Sequence, residues 1–204
     1  MNLLTYGDRA LLLEVADTDE VIGWTTAIRD AALPGVVDLV PGARTVLMIG
    51  DEPQVIPRLQ KDLKGLSPTE TTTLDDGPVV EVPVVYDGPD LDDIARLTGL
   101  DTNEVIEAHA GTTWKVAFGG FAPGFAYLIG GDTRLEVPRR DTSRTRVPAG
   151  AVGLAGEFSG IYPRSSPGGW QLLGHTDLPM WDVDRDPPAL LQPGTRVQFR
   201  RAES

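Results

Sequence analysis

No cysteine occurs in this sequence of 204 residues, which removes disulfides, a thiolate nucleophile and any cysteine-ligated zinc or iron–sulfur centre. Stability must then come from packing and hydrogen bonds. Histidine is nearly absent too: His109 and His175 are the only two, one fewer than a three-histidine metal site requires. No run approaches the roughly eighteen apolar residues that span a bilayer, and the N-terminal MNLLTYGDRALLLEV lacks a basic leader region and a cleavage-type end. These features predict a cytoplasmic chain with no membrane attachment and no metal site of its own. The sequence also lacks a GxxxxGK(S/T) phosphate loop, a GxGxxG opening a helix, an HExxH and a GxSxG elbow. Any nucleotide chemistry would need an unconventional site or one on a partner.

What is present is ordinary for a globular protein, with 41% hydrophobic and 24% charged residues. The net charge of −12 is unevenly divided: residues 1–110 hold 21 acids against 7 bases, and residues 111–204 hold 9 against 11. An acidic first half argues against nucleic acid as a partner, because affinity for a phosphate backbone needs a basic face. Ten of the thirteen aromatic residues lie after residue 110, which places a boundary near the middle.

In the first half, LLTY and ALLLEV read as strands about a GDR turn, followed by a helix over DEVIGWTTAIRDAAL that ends at Pro34-Gly35. Its apolar stripe is Val21, Trp24, Ile28 and Ala31 or Ala32. VVDLV and TVLMI follow as strands, PQVIPRLQKDLKGL as a second helix, and VVEVPVVY as a further strand after the linker-like SPTETTTLDDGP. The order suggests a two-layer α+β domain over 1–85. Two short helices come next, LDDIARLTG after Asp90 and TNEVIEAHAG after Asp101, each with a carboxylate three residues on at capping-box spacing. His109, in the last turn of the second, should feel a dipole that favours its protonated form. As a lone helical histidine it also reads as structural. Beyond Trp114 no helical period survives; KVAFGGF, AYLI, RLEVP, AVGLAG, IYP, WQLLG and RVQF read as short strands of a closed or nearly closed barrel, so that 86–204 is a two-helix connector plus an all-β domain.

Three segments could carry chemistry. FGGFAPGFAYLIGG, residues 118–131, sets four rings among five glycines, either a wall around a ligand or a bent barrel strand. TRLEVPRRDTSRTRVPAG holds five of the fifteen arginines, against three lysines in the whole chain, and arginine forks bind carboxylate or phosphate at two points. Alternation along a strand puts Arg144 and Arg146 on one face, and these are the first candidates for an acidic ligand. Pairing with Glu136, Asp141 or the acidic first half is the structural alternative. YPRSSPGGWQLLGHT offers Ser166, Gly168 and Gly169 as an anion nest beside Trp170, or merely a hairpin turn, and His175 as a base or a strand-end residue.

Taken in order, GFAPGFAYL (120–128), Pro138-Arg139-Arg140 with RTRVPAG (144–150), and GIYP (160–163) with SPGGW (166–170) resemble the allophanate hydrolase subunit 1 family. That family includes the B subunit of bacterial ATP-dependent 5-oxoprolinase and the sporulation kinase inhibitor KipI. GDRALLLEV and LPGVVDLVPGARTVLM extend the resemblance to the first domain. Ser143 and Ala151 depart from it, standing where relatives often carry proline and serine. The resemblance implies an α+β N-terminal domain followed by a cyclophilin-like β-barrel. It also implies pairing with a second subunit of related barrel fold, and possibly a third, as in the carboxyltransferase portion of urea carboxylase, with substrate between the subunits. It implies ATP with Mg2+ for the assembled complex and a small acidic or amide substrate. The implied site is Phe121, Pro123, Gly124, Phe125, Tyr127, Arg144, Arg146, Ser166, Gly168, Gly169, Trp170 and His175, a binding rather than a covalent role. A histidine-kinase inhibitor using the same aromatic groove, and a carboxyltransferase fragment, are the alternatives.

Overall fold

The structure, a computed structural model, describes residues 2–70 and 79–203, and the chain divides into two compact units, Met1–Asp75 and Asp76–Ser204. Residues 71–78, most of the stretch read as a linker, lie outside the described residues. In the first unit β1 (Asn2–Tyr6) and β2 (Ala10–Glu14) form a hairpin, followed by α1 (Thr18–Ala31), β3 (Val36–Pro41), β4 (Thr45–Gly50) and α2 (Ile56–Leu63). The four strands pair antiparallel in the order β1-β2-β4-β3. Alternation turns Leu11, Leu13, Val46 and Met48 to one face, where Val21, Trp24 and Ile28 of α1 and Leu59 and Leu63 of α2 pack on them. Each such aliphatic side chain contributes about 1.5–3 kcal/mol when fully buried. The Asp17 carboxylate starts α1 by accepting the Glu20 N–H at 2.9 Å. Ala31 and Ala32, expected to extend the apolar stripe, are exposed, because the helix ends in a left-handed cap at Ala32 (φ 44°).

The second unit begins with β5 (Val79–Val84), α3 (Leu91–Thr98) and α4 (Thr102–Gly111). The strands β6 (Thr113–Gly119), β7 (Ala126–Ile129), β8 (Arg144–Val147), β9 (Ala151–Ala155) and β10 (Phe158–Ile161) follow. β11 (Ser166–Gly168), β12 (Gln171–His175) and β13 (Arg196–Arg201) complete it. Seven strands form one sheet in the order β12-β9-β10-β7-β6-β13-β5, antiparallel except for the parallel β13–β5 pair. β5, expected in the first domain, therefore belongs to this sheet. Its continuation meets the sheet's other end: Val85 and His175 exchange N–H···O bonds of 2.9 Å, closing a β-barrel. Gly174 at this seam has no substitute, since a Cβ there would collide with the Val85 carbonyl oxygen. RLEVP is not a strand; it forms a 3-10 turn at Thr133–Leu135 and a single bridge from Val137 to Gly156. β8 and β11 pair outside the barrel sheet as a separate two-stranded ribbon.

The barrel core is built from Val82, Val84, Val116, Leu128, Val152, Leu154, Leu173, Val197 and Phe199, with Ile94 and Val105 of the two helices. Asp101 and Glu104 complete the expected capping box through bonds of 2.9 and 2.8 Å. Asp90 makes no such cap, for reasons that belong to the site below.

His109 is fully buried in this core, stacked on Phe199 at 4.2 Å between ring centroids. Its Nδ1 meets the Tyr86 hydroxyl at 2.8 Å and its Nε2 the Ser159 hydroxyl at 2.9 Å. Burial drives its pKa down to about 3, so the ring is neutral. The expectation that the α4 dipole would hold it protonated is overturned: removing the ring from water outweighs a partial charge at a helix end. No proton is bound in the fold, whereas the unfolded chain binds one below the ordinary value of 6.5. Stability from this group is therefore complete above pH 6.5 and falls as the pH drops toward 3. Urea unfolding between pH 5 and 6.5 should show a slope of up to about 1.4 kcal/mol per pH unit from this residue, and His109→Gln should flatten it. An unaltered slope in the variant would rule the residue out as its source.

Candidate functional site

The β6–β7 hairpin carries the aromatic segment. Its loop is held by bonds from the Gly120 N–H to the Phe125 carbonyl (3.2 Å) and from the Phe125 N–H to the Ala122 carbonyl (2.9 Å). Phe121, at the tip, has φ +64°, a conformation that a bulky side chain adopts only at a cost of about 1–3 kcal/mol. The strain turns its ring outward, 59% exposed, yet edge-on to Phe125 (5.4 Å) and Tyr162 (6.1 Å). Phe125 is buried at the centre of the cluster, with T-shaped contacts to Tyr127 (5.0 Å), Trp170 (5.3 Å) and Tyr162 (5.4 Å). This edge-to-face geometry is the one aromatic quadrupoles favour.

The rings surround a cavity of about 70 Å³, lined by Phe121, Phe125, Tyr127, Arg139, Tyr162, Gly168, Gly169 and Trp170. Phe118 and Phe125 are interior, while Phe121 and Tyr127 edge a concave surface. Burial raises the pKa of both Tyr127 and Tyr162, and the nearby Arg139 charge partly offsets this in each. Both phenols are protonated at neutral pH and available as donors. Gly168 is needed here because a Cβ would collide with the Tyr162 hydroxyl.

Of the five clustered arginines, the fold brings Arg139 to the cavity, not the expected Arg144 or Arg146. Arg140 and Arg144 both reach Asp90, at 2.6 Å each, and the second Asp90 oxygen accepts the Leu172 N–H at 2.7 Å. Asp90 is 1% exposed and its carboxylate is consumed here, which is why it does not cap α3. The partner of these arginines is therefore Asp90 rather than Glu136, Asp141 or the first domain. Arg146 instead bonds Ser165 Oγ at 3.2 Å on an exposed strand face. The Arg140 N–H donates to the Gly169 carbonyl at 2.8 Å, anchoring the backbone beside Arg139. In this extended stretch neighbouring side chains diverge, Arg140 toward Asp90 and Arg139 toward the rings. Adjacency to a proline and four further arginines gave no signal in the sequence that distinguished Arg139.

Other expected residues lie apart. Pro123 and Gly124 line a separate groove of about 280 Å³ on the far side of the loop, together with Trp181, Leu191 and Pro193. Ser166–Gly168 is not an anion nest but the strand β11, paired with β8 at Ser166–Val147 and Gly168–Arg144. The Ser166 hydroxyl is buried without a hydrogen-bond partner, and neither histidine reaches it: His109 is held by Tyr86 and Ser159, His175 by Asp87 at 2.9 Å. His175 stands five residues along the chain from Trp170, roughly 16 Å at strand rise, and does not line the cavity. The described residues contain no cluster of three or more histidine, aspartate or glutamate side chains that could hold a metal ion. No helix among them is long and apolar enough to cross a membrane.

A closed barrel preceded in the chain by a small α+β unit is a fold shared with carboxyltransferase-type domains. The chain belongs to the family "Carboxyltransferase domain, subdomain C and D", whose model matches residues 1–191. The B subunit of 5-oxoprolinase from Escherichia coli O157:H7 is 38% identical over 95% of this chain and 92% of its own length. The same-named protein of Bacillus subtilis strain 168 is 34% identical over 96% and 90%. Among solved structures, TTHA0988 aligns with TM-score 0.77 at 37% identity over 96% of this chain, which spans only 40% of that longer chain. The urea carboxylase of Kluyveromyces lactis aligns with TM-score 0.74 over 98% of this chain and 22% of its own; at 19% identity it shows the shared fold alone.

Two substitutions separate scaffold from site. Asp90→Ala leaves two half-buried guanidiniums and one buried N–H without a partner, and should cost about 2–4 kcal/mol in urea unfolding, the upper end being reduced by the arginines' access to water. A loss under about 0.5 kcal/mol would show that the arginines re-pair. Phe121→Gly removes an exposed ring and the positive-φ strain together, so the melting temperature should hold or rise slightly.

Proposed function

We propose that this chain is a B-type subunit of a heteromeric 5-oxoprolinase, a hydrolase that opens a cyclic amide, and that it supplies one wall of a substrate site completed by a second subunit. The observation that carries the reading is the near full-length identity to two proteins named as the B subunit of 5-oxoprolinase, combined with a cavity that is too small to work alone. Pockets that enclose a small ligand run to about 300 Å³ or more, against about 70 Å³ here. A wall without a lid fits a subunit that positions substrate rather than one that performs covalent chemistry. Phe121, Phe125, Tyr127, Gly168, Gly169 and Trp170 are the contacting surface. ATP and Mg2+ belong to the assembled complex in this reading, and the cavity does not fit them: its lining has one guanidinium and no carboxylate. The nucleotide is therefore assigned to another subunit.

The test is reconstitution. The purified chain alone should release no glutamate from 5-oxoproline and ATP, and co-expression with a second barrel subunit, and with a third if required, should yield a stable complex that does. Within that complex Phe121→Gly should lower turnover at least tenfold while the fold is kept. Glutamate release by the isolated chain would overturn the shared-site reading. Biotin-dependent carboxyl transfer by the complex would return the chain to carboxyltransferase chemistry.

A further inference from the structure

We propose that Arg139, flanked by Tyr127 and Tyr162, is the subsite for the substrate's carboxylate, and that the cavity takes only this acid end while the lactam ring projects toward the second subunit. The proposal rests on the functional reading above and deepens it by naming the residue that selects an acidic substrate. Arg139 is the only cation lining the cavity, and it makes no ion pair among the described residues. Its neighbours in the cluster are spent elsewhere: Arg140 and Arg144 on Asp90, Arg146 on Ser165. Within the cavity lining, the planar fork that matches a carboxylate at two points is thus left open at Arg139.

Size and polarity agree with this occupant. The cavity, at about 70 Å³, is small beside the pockets of about 300 Å³ or more that enclose a whole small ligand, which suits one end of the substrate rather than all of it. Around Arg139 stand two phenol hydroxyls kept in their donor form by burial, a floor of aromatic carbon, and no carboxylate. Such a lining offers donors to an anion, and its low dielectric strengthens each bond once water leaves. The Arg140–Gly169 backbone bond of 2.8 Å and the Arg140–Asp90 pair of 2.6 Å hold the Arg139 backbone in place before any ligand arrives.

The experiment measures 5-oxoproline turnover by the assembled complex carrying wild-type chain, Arg139→Gln or Arg139→Lys, with 2-pyrrolidinone, which lacks the carboxylate, as competing inhibitor. Arg139→Gln should raise KM for 5-oxoproline about 10- to 100-fold, the range of a lost charged hydrogen bond, with kcat within about threefold. Arg139→Lys should recover part of the loss, because the charge stays and the fork does not. Inhibition by 2-pyrrolidinone should be unchanged in both variants. An unchanged KM in Arg139→Gln, or an equal weakening of 2-pyrrolidinone, overturns the assignment while leaving the subunit role intact. A wild-type complex that does not open 5-oxoproline overturns the functional reading and this proposal with it.

Discussion

The site depends on one carboxylate that has been taken out of water. Asp90, 1% exposed, would cost several kcal/mol to bury as an isolated charge. Two guanidiniums and a backbone N–H offset that cost. In doing so they tie together the start of α3, the arginine loop and the beginning of β12, three stretches far apart in the chain. An apolar side chain could fill the same volume, but it could not dictate which arginine turns inward. With Arg140 drawn to Asp90, alternation alone sends Arg139 to the rings.

The aromatic cluster is a second constraint laid over the first. Edge-to-face contacts among Phe125, Tyr127, Tyr162 and Trp170 fill most of the space that the glycines open. The small hollow that survives lies where Gly168 and Gly169 present no side chain. Phe121 sits at its lip with φ +64°, its ring edge-on to Phe125 and Tyr162. The hollow of about 70 Å³ is edged by two phenols and one guanidinium, and no carboxylate lines it.

His109 shows how burial overrides local sequence signals. The last turn of a helix favours a cation, yet the same residue faces a barrel interior that admits none, and the ring is neutral and bonded on both sides. Asp90 fails as a helix cap for a parallel reason: a carboxylate three residues before another acid has the spacing of a cap, but two guanidiniums compete for it more strongly than the N–H groups of a helix end. Asp101, which makes no ion pair, caps as its spacing predicts.

Much was legible from order and periodicity. The strand and helix alternation of the first unit, the two short helices and the run of short strands follow from side-chain patterning that each segment carries in itself. The motifs GFAPGFAYL, Pro138-Arg139-Arg140, GIYP and SPGGW likewise marked the segments that meet around the cavity, whereas RTRVPAG does not reach it, and six of the twelve residues expected in the site line it. What the chain could not disclose was which of five clustered arginines lines the cavity, whether Ser166 joins a strand or a nest, and that β5 returns to close the barrel against β12. Each of those is settled by partners distant in the chain, through a buried charge, a ladder of hydrogen bonds or a seam that only a glycine fits. Local pattern determines which elements form; the competition for scarce counter-charges and donors inside the folded chain decides which side chains remain free to bind.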